Sequence, residues 1–142
     1  MKRLLATAVS AAAALVLAAG GAASAQPTDD AGKQLCTDLG ELKADNAKLK
    51  ALDPATATKD QIKQAHDDVQ DEAKEVAESK AQFDQARKDA VQKAATDLQT
   101  AFAALPGDTT GKQALDKLQP QIQSLDSAVD AATTSLDCDG GY

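Results

Sequence analysis

The fold is decided by the stretch LDKLQPQIQSLDSAVDAATTSLDC, residues 115–138 of the 142-residue chain. Its apolar residues recur at alternating steps of three and four: Leu115, Leu118, Ile122, Leu125, Val129, Ala132 and Leu136. This spacing puts one apolar stripe along an α-helix, as in helices that pack against other helices. Pro120 interrupts the stretch, but the stripe keeps its phase across it. We therefore predict one kinked helix over about 110–137 rather than two separate helices.

A second stripe lies near the start of the chain. Its members follow steps of four, three, four and three: Leu35, Leu39, Leu42, Asn46 and Leu49. We predict a helix over about 31–52 that ends before Asp53-Pro54, because the residue preceding a proline is pushed out of the helical region. Asn46 is the polar interruption of this stripe. By the length of the intervening chain, we expect its side chain to contact His66; specification of a partner chain is the alternative.

The middle of the chain opens with Thr58-Lys59-Asp60-Gln61, the pattern of a helix capping box. No glycine or proline follows until Pro106, and the large apolar residues recur near the helical period: Ile62, Val69, Val76, Phe83, Val91, Leu98 and Leu105. We predict one continuous helix over about 58–105, with a bend near 80–87 as the alternative, because the stripe thins there. The fold class is then all-α, an elongated helical bundle or antiparallel coiled coil with the two shorter helices packed along the long one.

The chain has two cysteines, Cys36 and Cys138. An even number of cysteines in an exported protein favours a disulfide. At 1.5 Å per residue, the outer helices (about 33 and 42 Å) laid end to end match a central helix of about 72 Å. Cys36 and Cys138 then lie about 24 and 30 Å from the top turn, close enough to pair beside residues 74–77. We predict that the disulfide staples the rod midway; a disulfide between two chains is the alternative.

The first 25 residues have the organisation of a secretory signal peptide. A basic start, Met1-Lys2-Arg3, precedes an apolar run from Leu4 to Ala19 and an A-x-A site at Ala23–Ala25. We expect cleavage after Ala25, which leaves residues 26–142 as a single helical domain that is secreted, extracellular or held at the cell envelope. The apolar run is shorter than the roughly 20 residues of a spanning helix, so we expect no stable membrane insertion after cleavage.

Composition bears on the class of function. The net charge is −7, and removal of Lys2 and Arg3 with the signal peptide makes it −9, which argues against nucleic-acid binding. Aromatic residues amount to only 2%, too few to stack on bases, sugars or flat cofactors, and we expect no cofactor. His66 is the only histidine. Catalysis would require a second reactive group and a pocket, and a thin rod offers none, so we predict a structural or surface histidine and no enzyme.

An acidic stripe is the one candidate ligand site in the sequence. Asp68, Asp71, Glu72 and Glu75 recur at i, i+3, i+4 and i+7 on the second segment. Hard divalent cations accept carboxylate oxygens, so these four residues are weak candidates for a metal site. Helical carboxylates without histidine make poor sites, and we prefer a solvated face with lysines nearby, without a bound metal.

The signal peptide, the early Leu35-Cys36 and the late Leu136-Asp137-Cys138, in an Ala- and Asp-rich chain, resemble the small secreted Ala-rich helical proteins of actinobacteria. The resemblance implies a secreted helical protein and no particular activity. We therefore expect a non-catalytic protein-interaction or envelope-associated module, whose partner is another protein or a second copy of the chain. An extracellular chaperone-like protein and a weak sequestering protein for divalent metals are the alternatives.

Overall fold

A computed structural model describes residues 29–79 and 84–138, and within these two ranges the chain is helical without strands. Four helices follow one another: α1 Asp29–Lys50, α2 Lys59–Glu78, α3 Gln85–Ala103 and α4 Gly111–Leu136. The all-α fold class predicted from the apolar spacing is confirmed. The predicted signal peptide, residues 1–25, lies outside the described residues.

The helix ends follow from local chemistry. Thr58 caps α2, with its hydroxyl accepting from Gln61 N and the Gln61 side chain accepting from Thr58 N, so the predicted capping box is confirmed. The same reciprocal pair, Thr110 and Gln113, opens α4. After α1, the carboxylate of Asp53 accepts from Ala55 N at 2.8 Å and shapes the turn that Pro54 begins. Helix α4 runs through Pro120 as predicted.

The continuous helix predicted over 58–105 is wrong. Helix α2 ends at Glu78, Ser79 has an extended backbone, and α3 begins after Asp84, whose carboxylate accepts from Ala86 N at 3.0 Å. The interruption between Glu78 and Gln85 overlaps the interval 80–87, where the apolar stripe thins. Two shorter helices can cover each other's apolar faces, whereas one helix of about 72 Å would leave part of its stripe exposed to water.

Helices α2 and α3 pack in opposite directions. Gln70 Nε2 donates to Ala95 O at 3.1 Å, and Lys88 Nζ donates to Ser79 O at 2.9 Å. Residues late in α2 therefore meet residues early in α3, which defines an antiparallel hairpin. Core residues from both helices belong to the same buried cluster, among them Ile62, Val69, Val76, Val91 and Leu98.

Helices α1 and α4 close the bundle. Lys43 pairs with Asp130 at 2.7 Å, and Cys36 forms a disulfide with Cys138, with a Cα–Cα distance of 5.5 Å. The predicted disulfide is confirmed, but its predicted place midway along a rod is wrong. With four helices instead of three, the start of α1 and the end of α4 reach the same end of the bundle, so the disulfide lies there.

The bundle has two chemically different ends. The disulfide end contains Cys36, Cys138, the end of α2 and the start of α3. The turn end contains the α1–α2 turn, residues 51–58, and the α3–α4 turn, residues 104–110. These two turns touch, since Lys59 Nζ donates to Gly107 O at 2.9 Å and a Cβ on Gly111 would lie 1.9 Å from Ala57 O. No covalent bond between helices holds the turn end.

Candidate interaction surface

Carboxylates from two helices converge between α1 and α2. We call these residues the acidic face: Asp38, Glu41 and Asp45 on α1, with Asp68, Glu72 and Glu75 on α2. Glu72 lies between them, partly buried, and its Oε2 is buried without a hydrogen-bond partner. Burial raises the pKa of Glu72 above its ordinary value, and repulsion from Glu75 and from the three α1 carboxylates raises it further.

One lysine partly offsets this charge. Lys48 pairs with Asp45 at 2.5 Å, and its pKa is raised by this hydrogen bond and by the charges of Asp45, Asp68 and Glu72. Asp38 is only 4% exposed and accepts a hydrogen bond from Gln34 Nε2 at 2.6 Å. An amide partner does not cancel the charge of a carboxylate, so the acidic face retains an excess of negative charge.

The structure does not bring the four predicted metal candidates together into one cluster. Asp68, Asp71 and Glu75 are exposed, whereas Glu72 is turned toward the carboxylates of α1. Across residues 29–79 and 84–138, no three His, Cys, Asp or Glu side chains come close enough together to hold a metal ion. The sequence reasoning missed the α1 carboxylates, although Asp38, Glu41 and Asp45 stand at i, i+3 and i+7, a spacing that marks one helix face.

His66 lies in the interface between α2 and α3. It is 4% exposed, and its ring stacks on Phe102 with centroids 4.3 Å apart and planes 15° apart. Its Nδ1 lies 3.3 Å from Asp67 Oδ1, and its Nε2 is buried without a hydrogen-bond partner. Burial lowers the pKa of His66 below its ordinary value, against the opposing effect of Asp67. The predicted absence of a catalytic role for this histidine stays a prediction.

The predicted Asn46–His66 contact does not take the form of a hydrogen bond, since Asn46 Oδ1 and His66 Nε2 are both buried without a hydrogen-bond partner. Asn46 is fully buried and turns to α4, where its Nδ2 donates to Ile122 O at 3.0 Å and to Asp126 Oδ1 at 3.2 Å. Lys50 pairs with the other carboxylate oxygen of Asp126 at 2.8 Å. The Lys50 hydrogen bond, helped by Asn46, lowers the pKa of Asp126. Because α1 packs against both α2 and α4, the amide nitrogen of Asn46 finds its hydrogen-bond partners on α4.

A small cleft lies beside this polar group at the turn end, where the thin rod was expected to have no pocket. Its volume is about 100 Å³, and its lining comes from α1, the α1–α2 turn and α4: Leu49, Lys50, Leu52, Pro54, Leu115, Asp116, Gln119, Ile122 and Gln123. Both charged residues of the lining have partners, Lys50 with Asp126 and Asp116 with Lys112. The cleft is well below the 300–1,000 Å³ of ordinary ligand pockets.

Among the described helices, none is long and apolar enough to cross a membrane. Comparison of the chain with protein-family models, with curated proteins and with solved structures gave no match.

Proposed function

We propose that the protein is a secreted, non-catalytic helical module that binds a basic protein or peptide through the acidic face. The observation that carries this proposal is the position of Glu72, whose Oε2 is buried without a hydrogen-bond partner and whose charge is repelled by carboxylates of both helices. Carboxylates that repel one another within a fold lower its stability, and a positively charged partner removes that cost when it binds. A stability cost maintained on one surface is typical of a site kept for function.

A basic partner fits the acidic face better than a second copy of the chain. Two copies meeting through this face would bring like charges together, which is unfavourable at an interface. The chain as a whole is acidic, with a net charge of −7, so other faces of a second copy offer little compensation. The expected signal peptide and the Cys36–Cys138 disulfide support a place outside the cytoplasm.

The test compares two variants with the same change in charge. In the first, Glu41→Gln, Glu72→Gln and Glu75→Gln neutralise part of the acidic face. In the second, the matched control, Asp89→Asn, Asp97→Asn and Asp108→Asn neutralise exposed residues on α3 and in the following turn. An oligolysine peptide serves as the basic probe for calorimetry, and the same proteins serve as baits for culture medium and cell-envelope extract.

We expect the first variant to bind oligolysine at least about tenfold more weakly than the unmodified protein, and the control to differ by less than about twofold. Added salt should weaken the binding of the unmodified protein, because the contact is between exposed charges. Equal losses in both variants would show a general effect of net charge and would overturn the assignment to the acidic face. A basic protein captured by the unmodified bait and by the control, but not by the first variant, would identify the partner.

A further inference from the structure

The proposed function makes no use of His66, a buried histidine near the turn end whose Nε2 has no hydrogen-bond partner. Counted from Lys59, it lies in the second turn of α2, and Phe102 lies in the last turn of α3. The stacked pair therefore joins α2 to α3 close to the two turns and far from the disulfide. Apolar neighbours in the same half of the interface include Ile62 and Leu98, both fully buried.

The imidazole is held in a form that suits only its neutral state. Neutral histidine has one N–H donor and one acceptor nitrogen, and protonation makes both nitrogens donors. Asp67 Oδ1 lies within reach of Nδ1 at 3.3 Å, but Nε2 has no partner. Phe102 offers the face of its ring, which attracts a cation but does not replace the hydrogen bond that a buried Nε2–H requires.

The charged groups around His66 do not compensate for a new positive charge. On α2, Asp67 favours the imidazolium form of His66. However, Asp67 already pairs with Lys63, and the positive charge of Lys63 disfavours the imidazolium. Within the described ranges, no charged group of α1, α3 or α4 shifts the pKa of His66. The ion pairs of those helices in this half of the bundle are Lys48–Asp45, Lys50–Asp126, Lys93–Asp97 and Lys112–Asp116.

We propose that the His66–Phe102 pair is an acid-sensitive latch: protonation of the imidazole releases the first half of α2 from the last half of α3 while the disulfide end stays closed. After release, Nε2 of the ring is no longer buried and forms a hydrogen bond with water. The disulfide keeps α1 and α4 together, and their Asn46–Asp126–Lys50 contact survives because the carboxylate stays ionised well below the pH at which histidine titrates. Opening exposes Phe102 and the apolar residues beneath it.

The test follows unfolding with pH in the oxidised protein and in His66→Phe, which retains a ring beside Phe102 but does not titrate. The equilibrium constant for urea unfolding is measured at pH 7.5, 6.5 and 5.5. We expect the constant of the unmodified protein, relative to that of the variant, to rise by up to about tenfold over this range, because the unfolded histidine takes up a proton that the folded one excludes. A ratio that stays constant with pH would overturn the latch.

Two further measurements keep the proposal testable if His66→Phe does not fold. His66→Gln is a second variant without titration and should give the same pH-dependent ratio. In the unmodified protein, the ring proton signals of this single histidine should titrate with a midpoint below the ordinary value of about 6.5. A midpoint at or above that value overturns the proposal. So does a fall in amide protection factors between pH 7.5 and 5.5 that is as large in α1 and α4 as in α2 and α3, because opening would then involve the whole bundle.

Discussion

The two ends of the bundle are held together by different kinds of interaction. At the disulfide end, Cys36 and Cys138 join the first and last helices by a covalent bond. At the turn end, the first residue of α4, Gly111, lies against Ala57 of the α1–α2 turn, and the interior includes two buried polar side chains, Asn46 and His66. A covalent link tolerates imperfect packing around it, whereas the turn end depends on close contact and on hydrogen bonds. We therefore expect the disulfide end to set the total stability and the turn end to respond to conditions.

The largest effect should come from removal of the disulfide. The bond joins residues 102 apart in the chain, and closing a loop of this length restricts the unfolded chain by about 4–5 kcal/mol in the chain-entropy model. The double variant Cys36→Ser/Cys138→Ser should lose a free energy of unfolding of this order, measured with urea. The unmodified protein with reductant should lose the same amount. A loss below about 1 kcal/mol would contradict the expectation that the disulfide end sets the total stability.

The next effect concerns the contact between the turns. Gly111→Ala would place a Cβ 1.9 Å from Ala57 O, a backbone atom, so one of the two turns must move. We expect a loss of about 1–3 kcal/mol in thermal or urea unfolding. Gly40→Ala in α1 is the control, because its Cβ would meet nothing within 4 Å, and alanine is favoured over glycine inside a helix by up to about 1 kcal/mol. Equal effects at both positions would show that the turn contact is loose.

A smaller effect should come from the polar contact between α1 and α4. Asp126→Asn removes the charge that holds Lys50, while keeping a side chain of the same size. The folded pKa of Asp126 is lowered, so its contribution is present above the ordinary value near 3.8 and is lost as the pH falls below it. We expect the variant to be about 1 kcal/mol less stable at pH 7 and to approach the unmodified protein as the pH falls through the lowered pKa of Asp126. A difference that does not change with pH would mean that the carboxylate acts through packing alone.

The smallest effect has the opposite sign. Glu72→Gln removes a charge that the fold disfavours, so the variant should be more stable at pH 7 by a few tenths of a kcal/mol. Because the folded pKa of Glu72 is raised, this gain should shrink as acid protonates the glutamate. Glu78→Gln on the exposed end of α2 is the control, where we expect no gain. Destabilisation by Glu72→Gln at pH 7 would show that the acidic face is not under electrostatic stress.

Much of the local structure was predictable from the sequence. The capping box at Thr58 and Gln61, the helix through Pro120 and the buried stripe of α1 all depend on residues close together in the chain. The break between α2 and α3 was harder to predict, because no glycine or proline marks it. Asp84 as a cap was a usable signal, since aspartate favours the position before a helix.

The acidic face and the surroundings of His66 were predicted only in part. The stripe from Asp68 to Glu75 was visible in the sequence, but its meeting with Asp38, Glu41 and Asp45 depends on the rotation of α1 about its own axis. The same rotation brings the Asn46 amide to Asp126 on α4, whereas His66 stacks on Phe102 of α3. Periodicity tells which residues share a face of one helix. It does not tell which neighbouring helix that face meets.

By itself, the sequence determined the all-α class, the ends of the helices that begin with capping threonines, the apolar stripes and the pairing of Cys36 with Cys138, because propensity, capping and periodicity act over a few residues and two cysteines leave one pairing within a chain. The tertiary structure decided that residues 29–79 and 84–138 form four helices, that the disulfide closes one end, and which carboxylates share a surface. These features depend on contacts between residues far apart in the chain, which form only when each helix has found a neighbour that buries its stripe.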